Sequence, residues 1–287
     1  MSLRRLARSW PELRARMQPG PRAVVMTMGA LHQGHLDLVE AANRHRQSVG
    51  GQVVVTIFVN PLQFGPAEDF DTYPRTLEAD LEALAGRGVD LVYAPSANDM
   101  YPRGRPQVGI DPGPLGNVFE GAIRPGHFAG VATVVHKLAA RTGATAAVFG
   151  QKDAQQLAVI RQMKADLDLG WEVIAVPTRR EADGLALSSR NRYLSAAERE
   201  EALALPHGIA AGQAAARDGA QAGEVRRAAL AALGRGERLS LPDYLDLVDP
   251  ATFQPVRDAW RGPALLIGAL KVGRTRLIDN AEVALGA

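Results

Sequence analysis

Short apolar runs alternate with helix-spaced apolar stripes along the chain until about Pro177, where the pattern changes. Ala23 to Met28 is a partly β-branched run ending at Gly29 and predicts a strand. Leu36, Val39 and Ala42 then recur at helical spacing with charges between them. Val53 to Val59 is nearly unbroken in its hydrophobicity, as in a strand covered on both faces of a parallel sheet. It stops at Asn60-Pro61, and the loop that follows is long and rich in proline, glycine and acids, the mark of a functional or mobile segment. Thr76 to Arg87 reads as a helix with Leu77, Leu81 and Leu84 inward, and Val89 to Ala94 as the next strand. Pro95 to Gly126 is mostly loop and leads into a helix from about Phe128 to Arg141. Ala146 to Phe149 then reads as a strand, a helix carries Leu157, Ile160, Met163 and Leu167, and Trp171 to Val176 is a last strand. At the start of the chain, Leu3, Leu6, Trp10, Leu13 and Met17 predict one amphipathic helix within Met1 to Pro21.

Strand and helix in alternation imply an α/β fold, a doubly wound, Rossmann-like parallel sheet over residues 1–177. After Pro177 come alanine-rich helices from about Ala196 to Leu233, then strands at Tyr244 to Asp249, Ala264 to Val272 and Arg274 to Asp279, the last two joined as a hairpin at Gly273. Helices followed by strands imply a smaller α+β domain over 178–287.

Composition narrows the class. The 287 residues are 46% hydrophobic, which is ordinary for a soluble globule, and no apolar run reaches the about 18 residues of a membrane span. With no cysteine the fold cannot rest on disulfides, and a cytoplasmic location is expected. The formal charge of +2 and pI near 9.1 come from basic residues scattered among 31 acids, so neither a nucleic-acid stripe nor a membrane surface is expected. Only Lys137, Lys152, Lys164 and Lys271 are lysines among the 33 basic residues.

The candidate chemistry gathers at strand ends. His32 and His35 stand three apart where the first helix begins, between Gly29 and the later turns, beside free backbone N–H groups and the positive end of the helix dipole. Such a corner suits a polyanion. A metal site would want a third ligand, and the neighbours are Gln33, Leu36 and Asp37. Lys152 repeats the arrangement at the end of the Ala146 strand, where a cation does little for the helix but suits a phosphate. Asp153 is placed to cap that helix, and Gln155 or Gln156 can present an amide. Gln63 lies past the end of the Val53 strand. His127 stands just before its helix as either a surface residue or a ligand, while His45, His136 and His207 read as structural. Ser188, Ser189 and Arg190, just past the boundary, form a further anion-binding cluster on a lid hinged at Pro177 to Gly184, unless Ser188 to Asn191 only caps the next helix.

Taken together, TMGALHQGH, FVNPLQF, YPRT, EGAIRPGHFAGV, GQKDAQQL, READGLALSSRNRYL and RLIDN resemble the pantoate:β-alanine ligases, a family within the H-x-G-H nucleotidyltransferase superfamily. The resemblance implies an AMP-forming ligase that joins pantoate to β-alanine through a pantoyl-adenylate, with ATP as substrate, Mg2+ as its counter-ion and a homodimer as the assembly. It places His32, His35, Lys152, Ser188, Ser189 and Arg190 in the catalytic set. It also assigns Met26, Thr27, Met28, Gly150, Asp153, Val176 and Leu187 to the nucleotide. Gln63 and Gln156 fall to pantoate, with Met28, Phe58 and Phe64 against its gem-dimethyl group. Three positions depart from the family pattern: Met26 in place of proline, Gln151 in place of glutamate and Ala154 in place of an aromatic residue. Rival classes are another H-x-G-H nucleotidyltransferase, a truncated aminoacyl-tRNA synthetase, and a basic nucleotide- or RNA-binding protein without catalysis. The short Gly29 to His32 spacing, the absence of lysine at 188–190, and an intact Lys152 with both histidines weigh against them.

Overall fold

The computed structural model describes residues 5–66, 68–234 and 241–286. The chain divides into two compact units, residues 1–151 with 155–177, and residues 152–154 with 178–287.

In the first unit, β1 (Leu6–Ala7), α1 (Trp10–Arg16), β2 (Arg22–Thr27), α2 (Gln33–Val49), β3 (Gln52–Ile57), α3 (Leu77–Leu84) and β4 (Leu91–Tyr93) are followed by short helices α4 (Ala97–Met100) and α5 (Glu120–Ile123). The unit continues with α6 (His127–Thr142), β5 (Ala146–Gly150), α7 (Ala154–Asp166) and β6 (Glu172–Val176). All strand pairs are parallel, in the order β1-β4-β3-β2-β5-β6. Val24, Val25, Val53, Val54, Val55, Val92 and Val148 are fully buried, as the unbroken apolar runs imply for strands covered on both faces. The chain runs from β2 to β3 on one side and later enters β5 on the other side of β2, so the order reverses between β2 and β5. A doubly wound sheet binds its ligand beyond the carboxyl ends at that reversal.

The expected amphipathic helix over Met1 to Pro21 is corrected. Leu3 lies outside the described residues, and Leu6–Ala7 is an edge strand in register with Val92 and Tyr93. The helix begins only at Trp10, because the Ser9 hydroxyl accepts from Glu12 N and Pro11, lacking an N–H, fits only in a first turn. Elsewhere β3, α3, β4, β6 and β7 are one to three residues shorter at an end than the apolar pattern suggests, whereas β5, α6 and β8 run one or two residues beyond it. The last strand is longer, and His127 is the first residue of α6 with Gly126 as its cap.

In the second unit, α8 (Ala196–Ala202), α9 (Ala204–Arg217) and α10 (Ala222–Leu233) precede β7 (Tyr244–Val248), β8 (Gly262–Val272) and β9 (Thr275–Leu285). The strands form an antiparallel sheet in the order β7-β8-β9, with β8 and β9 turning at Gly273 as the sequence implies. Ile209, Val225 and Ala229 from the helices pack with Leu247 and Leu266 of the sheet in one buried cluster. Both fold classes expected from the sequence are present. Among the described residues, no helix is long and apolar enough to cross a membrane.

Candidate functional site

The turn from β2 into α2 is held from outside its own sequence. Thr27 Oγ1 donates to the Thr56 carbonyl at 2.8 Å and accepts from Gly29 N at 3.2 Å, so its one proton is committed within the turn. Gly29 and Ala30 both have left-handed backbones, φ +85° and +50°. A Cβ on Gly29 would sit 2.9 Å from Asp80 Oδ2, so the position needs glycine for space as well as for φ. Asp80, on α3 and 2% exposed, accepts from Ala30 N at 3.1 Å and Leu31 N at 2.8 Å through its two oxygens, and from Thr76 Oγ1 at 3.3 Å. These three donors satisfy the polar atoms of the buried side chain.

That clamp delivers the chain to His32, which caps α2 in an extended conformation. The backbone N–H of His32 donates to His35 Nδ1 at 3.2 Å, and the two rings lie 4.1 Å apart. A ring nitrogen that accepts cannot carry the proton, so in neutral His35 the hydrogen is on Nε2, which becomes a donor. The sequence spacing puts two histidines at the helix start; the fold adds the tautomer.

Gln63 ends a 3-10 turn, Pro61–Gln63, beyond β3 and is 8% exposed. Its orientation is set by Asn60, whose amide meets its full hydrogen-bonding capacity. Asn60 Oδ1 accepts from Tyr101 Oη at 2.9 Å and Leu62 N at 3.3 Å, and its Nδ2 donates to Gln63 Oε1 and the Gly130 carbonyl, both at 3.1 Å. Gln63 Nε2 then lies 3.1 Å from Met28 Sδ, a weak acceptor that a substrate oxygen can replace. Gly130 of α6 is indispensable here: a side chain there would overlap the Leu62 carbonyl and the Gln63 nitrogen. Phe58 is buried against Tyr101, whereas Phe64 packs edge-on with Phe70 and Tyr73 within the long loop.

The backbone of Gln63 is braced as well. His127 Nδ1 donates to the Gln63 carbonyl at 2.8 Å, and its Nε2 lies 3.2 Å from the Arg124 guanidinium, which can only donate. Arg124 also donates from Nε to Glu68 at 2.9 Å and pairs with it through a second nitrogen. Burial would raise the Glu68 carboxyl, but the hydrogen bonds and charge of Arg124 outweigh it and hold it below the usual range. His127 is neither an isolated surface histidine nor a clear ligand; burial and the adjacent Arg124 charge lower its pKa to about 4 from 6.5.

A depressed histidine pKa favours the neutral ring in the folded state, so its contribution is complete above the unfolded value and is lost as pH falls through about 4. The protein should therefore lose melting temperature between about pH 6.5 and 4, and His127→Gln, which keeps a donor and an acceptor without titrating, should flatten that part of the profile. Parallel profiles for parent and variant would remove His127 as the cause.

Gly150 and Val176 pair at the carboxyl ends of β5 and β6, and Gln151 N donates to the Val176 carbonyl at 2.8 Å. Of the two glutamines in α7, Gln155 is committed to structure. Its Nε2 donates to the Leu115 and Val118 carbonyls, and its Oε1 accepts from Glu120 N. Gln156 is half-buried, with no side-chain hydrogen bond among the described residues, and is the glutamine left for a ligand.

In the second unit, Lys152 Nζ is 4.0 Å from Asp153 Oδ1, so the carboxylate offsets part of the lysine's charge. Residues 180–186 form a tight hairpin, with a bridge between Arg180 and Ala186 and Glu181 N donating to the Leu185 carbonyl. Leu187 N donates to the Arg179 carbonyl at 2.9 Å, and Ser188 Oγ accepts from Arg190 N at 3.3 Å as the cap of a 3-10 turn, Ser189–Tyr193. Ser188 to Asn191 does not cap the following helix. Ser195 does, in a capping box with Glu198.

A family profile described as Pantoate-beta-alanine ligase matches residues 2–282. The chain belongs to the pantoate-beta-alanine ligase family. It is 48% identical to the pantothenate synthetase of Streptomyces avermitilis, with 98% of each chain covered, and 54% identical to that of Acidothermus cellulolyticus, with 96% and 90% covered. The crystal structure of pantothenate synthetase from Thermus thermophilus superposes with a TM-score of 0.91 at 46% identity, covering 98% of this chain and 99% of the other. A pantoate-beta-alanine ligase from Francisella tularensis, solved with β,γ-ATP and β-alanine, superposes at 0.73 with 32% identity and 96% of each chain covered.

For a pantoate-beta-alanine ligase, the sequence reading missed Asp80, Asn60, Tyr101, Gly130 and the Glu68–Arg124–His127 brace. Asp80 alone left a signal: it lies on the same helical stripe as Leu77, Leu81 and Leu84, so the pattern put a carboxylate on an inward face. Asn60 caps the turn that Gln63 ends, while Tyr101, Gly130, Arg124 and His127 come to that turn from separate segments.

Proposed function

We propose that this chain condenses pantoate with β-alanine at the expense of ATP. The pantoate carboxylate attacks the α-phosphorus of ATP, forming pantoyl-adenylate as pyrophosphate leaves; the β-alanine amine then attacks the acyl carbon and AMP leaves. Two anions must meet in the first step, so the protein's part is to position them and to neutralise charge. The observation that carries this reading is the clamped H-x-G-H corner, where His35 Nε2 and the start of α2 present donors to a phosphate. Lys152 faces the leaving pyrophosphate as a cationic side chain, and Gln63 with Gln156 reads the polar groups of pantoate. Met28 and Phe58 suit its gem-dimethyl group. Phe64, engaged with Phe70 and Tyr73, acts through the loop.

Among the described residues no group of three His, Asp or Glu side chains is arranged to hold a metal. Magnesium, where bound, would supply counter-charge for the phosphates of ATP. A homodimer and a cytoplasmic location complete the proposal, on the strength of the family resemblance.

Pantoate-dependent exchange of labelled pyrophosphate into ATP tests the reaction. Exchange should need pantoate and magnesium but not β-alanine, and Gln63→Leu should raise the pantoate requirement far more than that for ATP. Exchange that appears only with β-alanine present would overturn the adenylate route.

We further propose that the second unit acts as a lid bringing Ser188, Ser189 and Arg190 to the nucleotide, which keeps water from the acyl-adenylate. The hairpin at 180–186 is closed by its own hydrogen bonds, so the hinge narrows from Pro177–Gly184 to Pro177–Arg179. ATP with pantoate should slow amide hydrogen exchange across 184–192; unchanged exchange at saturation would sink the lid.

A further inference from the structure

The adjacent residues Asp279 and Asn280 on β9, part of the RLIDN motif that neither substrate contact nor chemistry has absorbed, make two connections inside the second unit. Asp279, its side chain 1% exposed, accepts from both terminal guanidinium nitrogens of Arg180, at 2.7 and 2.9 Å. The same Arg180 donates to the Gly184 carbonyl at 3.0 Å and so closes the hairpin that leads into Ser188–Arg190. Asp279 Oδ1 also accepts from the backbone N–H of Asn280 at 2.7 Å, which ties the two residues to each other. Asn280, also buried, reaches the other way: its Nδ2 donates to the backbone carbonyl of Lys152 at 2.9 Å.

β9 is an edge strand, so at Asn280 its outer side is open to partners other than β8. Arg180 uses that edge, donating to the Asn280 carbonyl at 3.3 Å, while the Asp279 carboxylate takes the N–H. The result is one rigid point from which an ion pair holds the serine-arginine loop and an amide holds the peptide of Lys152. A bidentate pair with further hydrogen bonds fixes geometry more tightly than a single contact.

We propose that Asp279 and Asn280 are positioning residues that hold the Lys152 turn and the 178–191 loop in a common frame, so that the lysine and the serine-arginine cluster meet one polyphosphate with fixed spacing. Neither touches substrate. The proposal rests on the adenylation reading for its kinetic consequence, but the frame itself is a property of the protein.

The test is a double-mutant cycle. Asn280→Asp preserves the side-chain shape and removes the donor to the Lys152 carbonyl. It should lower the maximal rate of pantoate-dependent pyrophosphate exchange about tenfold, with the pantoate KM within about twofold of the parent. In a Lys152→Ala background the same substitution should cost less than about twofold, because a residue acting through Lys152 has nothing left to position. Equal losses in both backgrounds, or no loss in the parent, would overturn the proposal. Asn280→Ala serves as a second variant should the aspartate prevent folding. A ligand-free measurement separates this idea from the reaction assigned above: amides 152–155 and 184–192 should exchange faster in Asn280→Asp than in the parent. Faster exchange with no pyrophosphate exchange in the parent would leave the frame standing and remove the adenylation reading; unchanged amide exchange would remove the frame.

Discussion

Lys152→Ala should lower pantoate-dependent pyrophosphate exchange about a hundredfold, a loss of about 3 kcal/mol in the transition state. The charge matters most while pyrophosphate departs, so the maximal rate should fall more than ATP binding weakens. The side chain is partly exposed and, among the described residues, makes no closer ion pair than the 4.0 Å approach to Asp153, so the substitution removes little from the fold and the melting temperature should hold. The residue's structural connection is through its backbone carbonyl, which alanine retains. A variant with near-parental exchange would take Lys152 out of the reaction, and one that melts much earlier would recast it as structural.

Asp80→Ala should damage both stability and adenylation, in contrast to Lys152→Ala. It strands the N–H groups of Ala30 and Leu31 in a buried turn, each at about 1 to 3 kcal/mol, which amounts to a fall of about 5 to 15 °C in melting temperature for a protein of this size. Ala30, unlike Gly29, is strained in a left-handed backbone, and the Asp80 clamp on its N–H and that of Leu31 holds it there. With it gone the His32 cap and the His35 ring lose their placement, so the ATP KM should rise at least about tenfold while the pantoate KM, set around Gln63, stays close to the parent. Asp80→Asn is the sharper variant. Its amide offers one acceptor and turns a donor toward a backbone donor, so it should be impaired although it fits the same space. Parental ATP KM in both variants would leave Asp80 as a simple core residue.

Much of the site lies where local chemistry can be read directly. The β2 run, the glycine that ends it and the two histidines that follow are consecutive, and a strand, a turn and a helix start are each decided within a few residues. Lys152 was legible for the same reason, and its rarity among the basic residues helped. Gln63 was legible only in part. Its place beyond β3 follows from the end of an apolar run, but which way its amide faces depends on Asn60, Tyr101 and Gly130, 3, 38 and 67 positions away along the chain. His127 shows the difficulty most plainly: local sequence left it between surface and ligand, and the fold made it a neutral brace through partners that come from other segments.

The sequence by itself determined the α/β order of the first unit, the helices-then-strands order of the second, and the positions of the histidines, lysine and serine-arginine cluster along them, because strand and helix periodicity and capping act over short range. The tertiary structure alone decided that Leu6–Ala7 joins β4 as an edge strand, since that pairing depends on a neighbour 86 positions later. It also decided the proton on His35, the commitment of Gln155 to the 115–120 segment and the burial of Asp80 beneath Gly29. Each of these turns on a hydrogen-bond partner brought in by folding. A polar side chain's role is set by the partner it meets, and a buried carboxylate, amide or imidazole takes its orientation from groups that only the packed chain brings within about 3 Å.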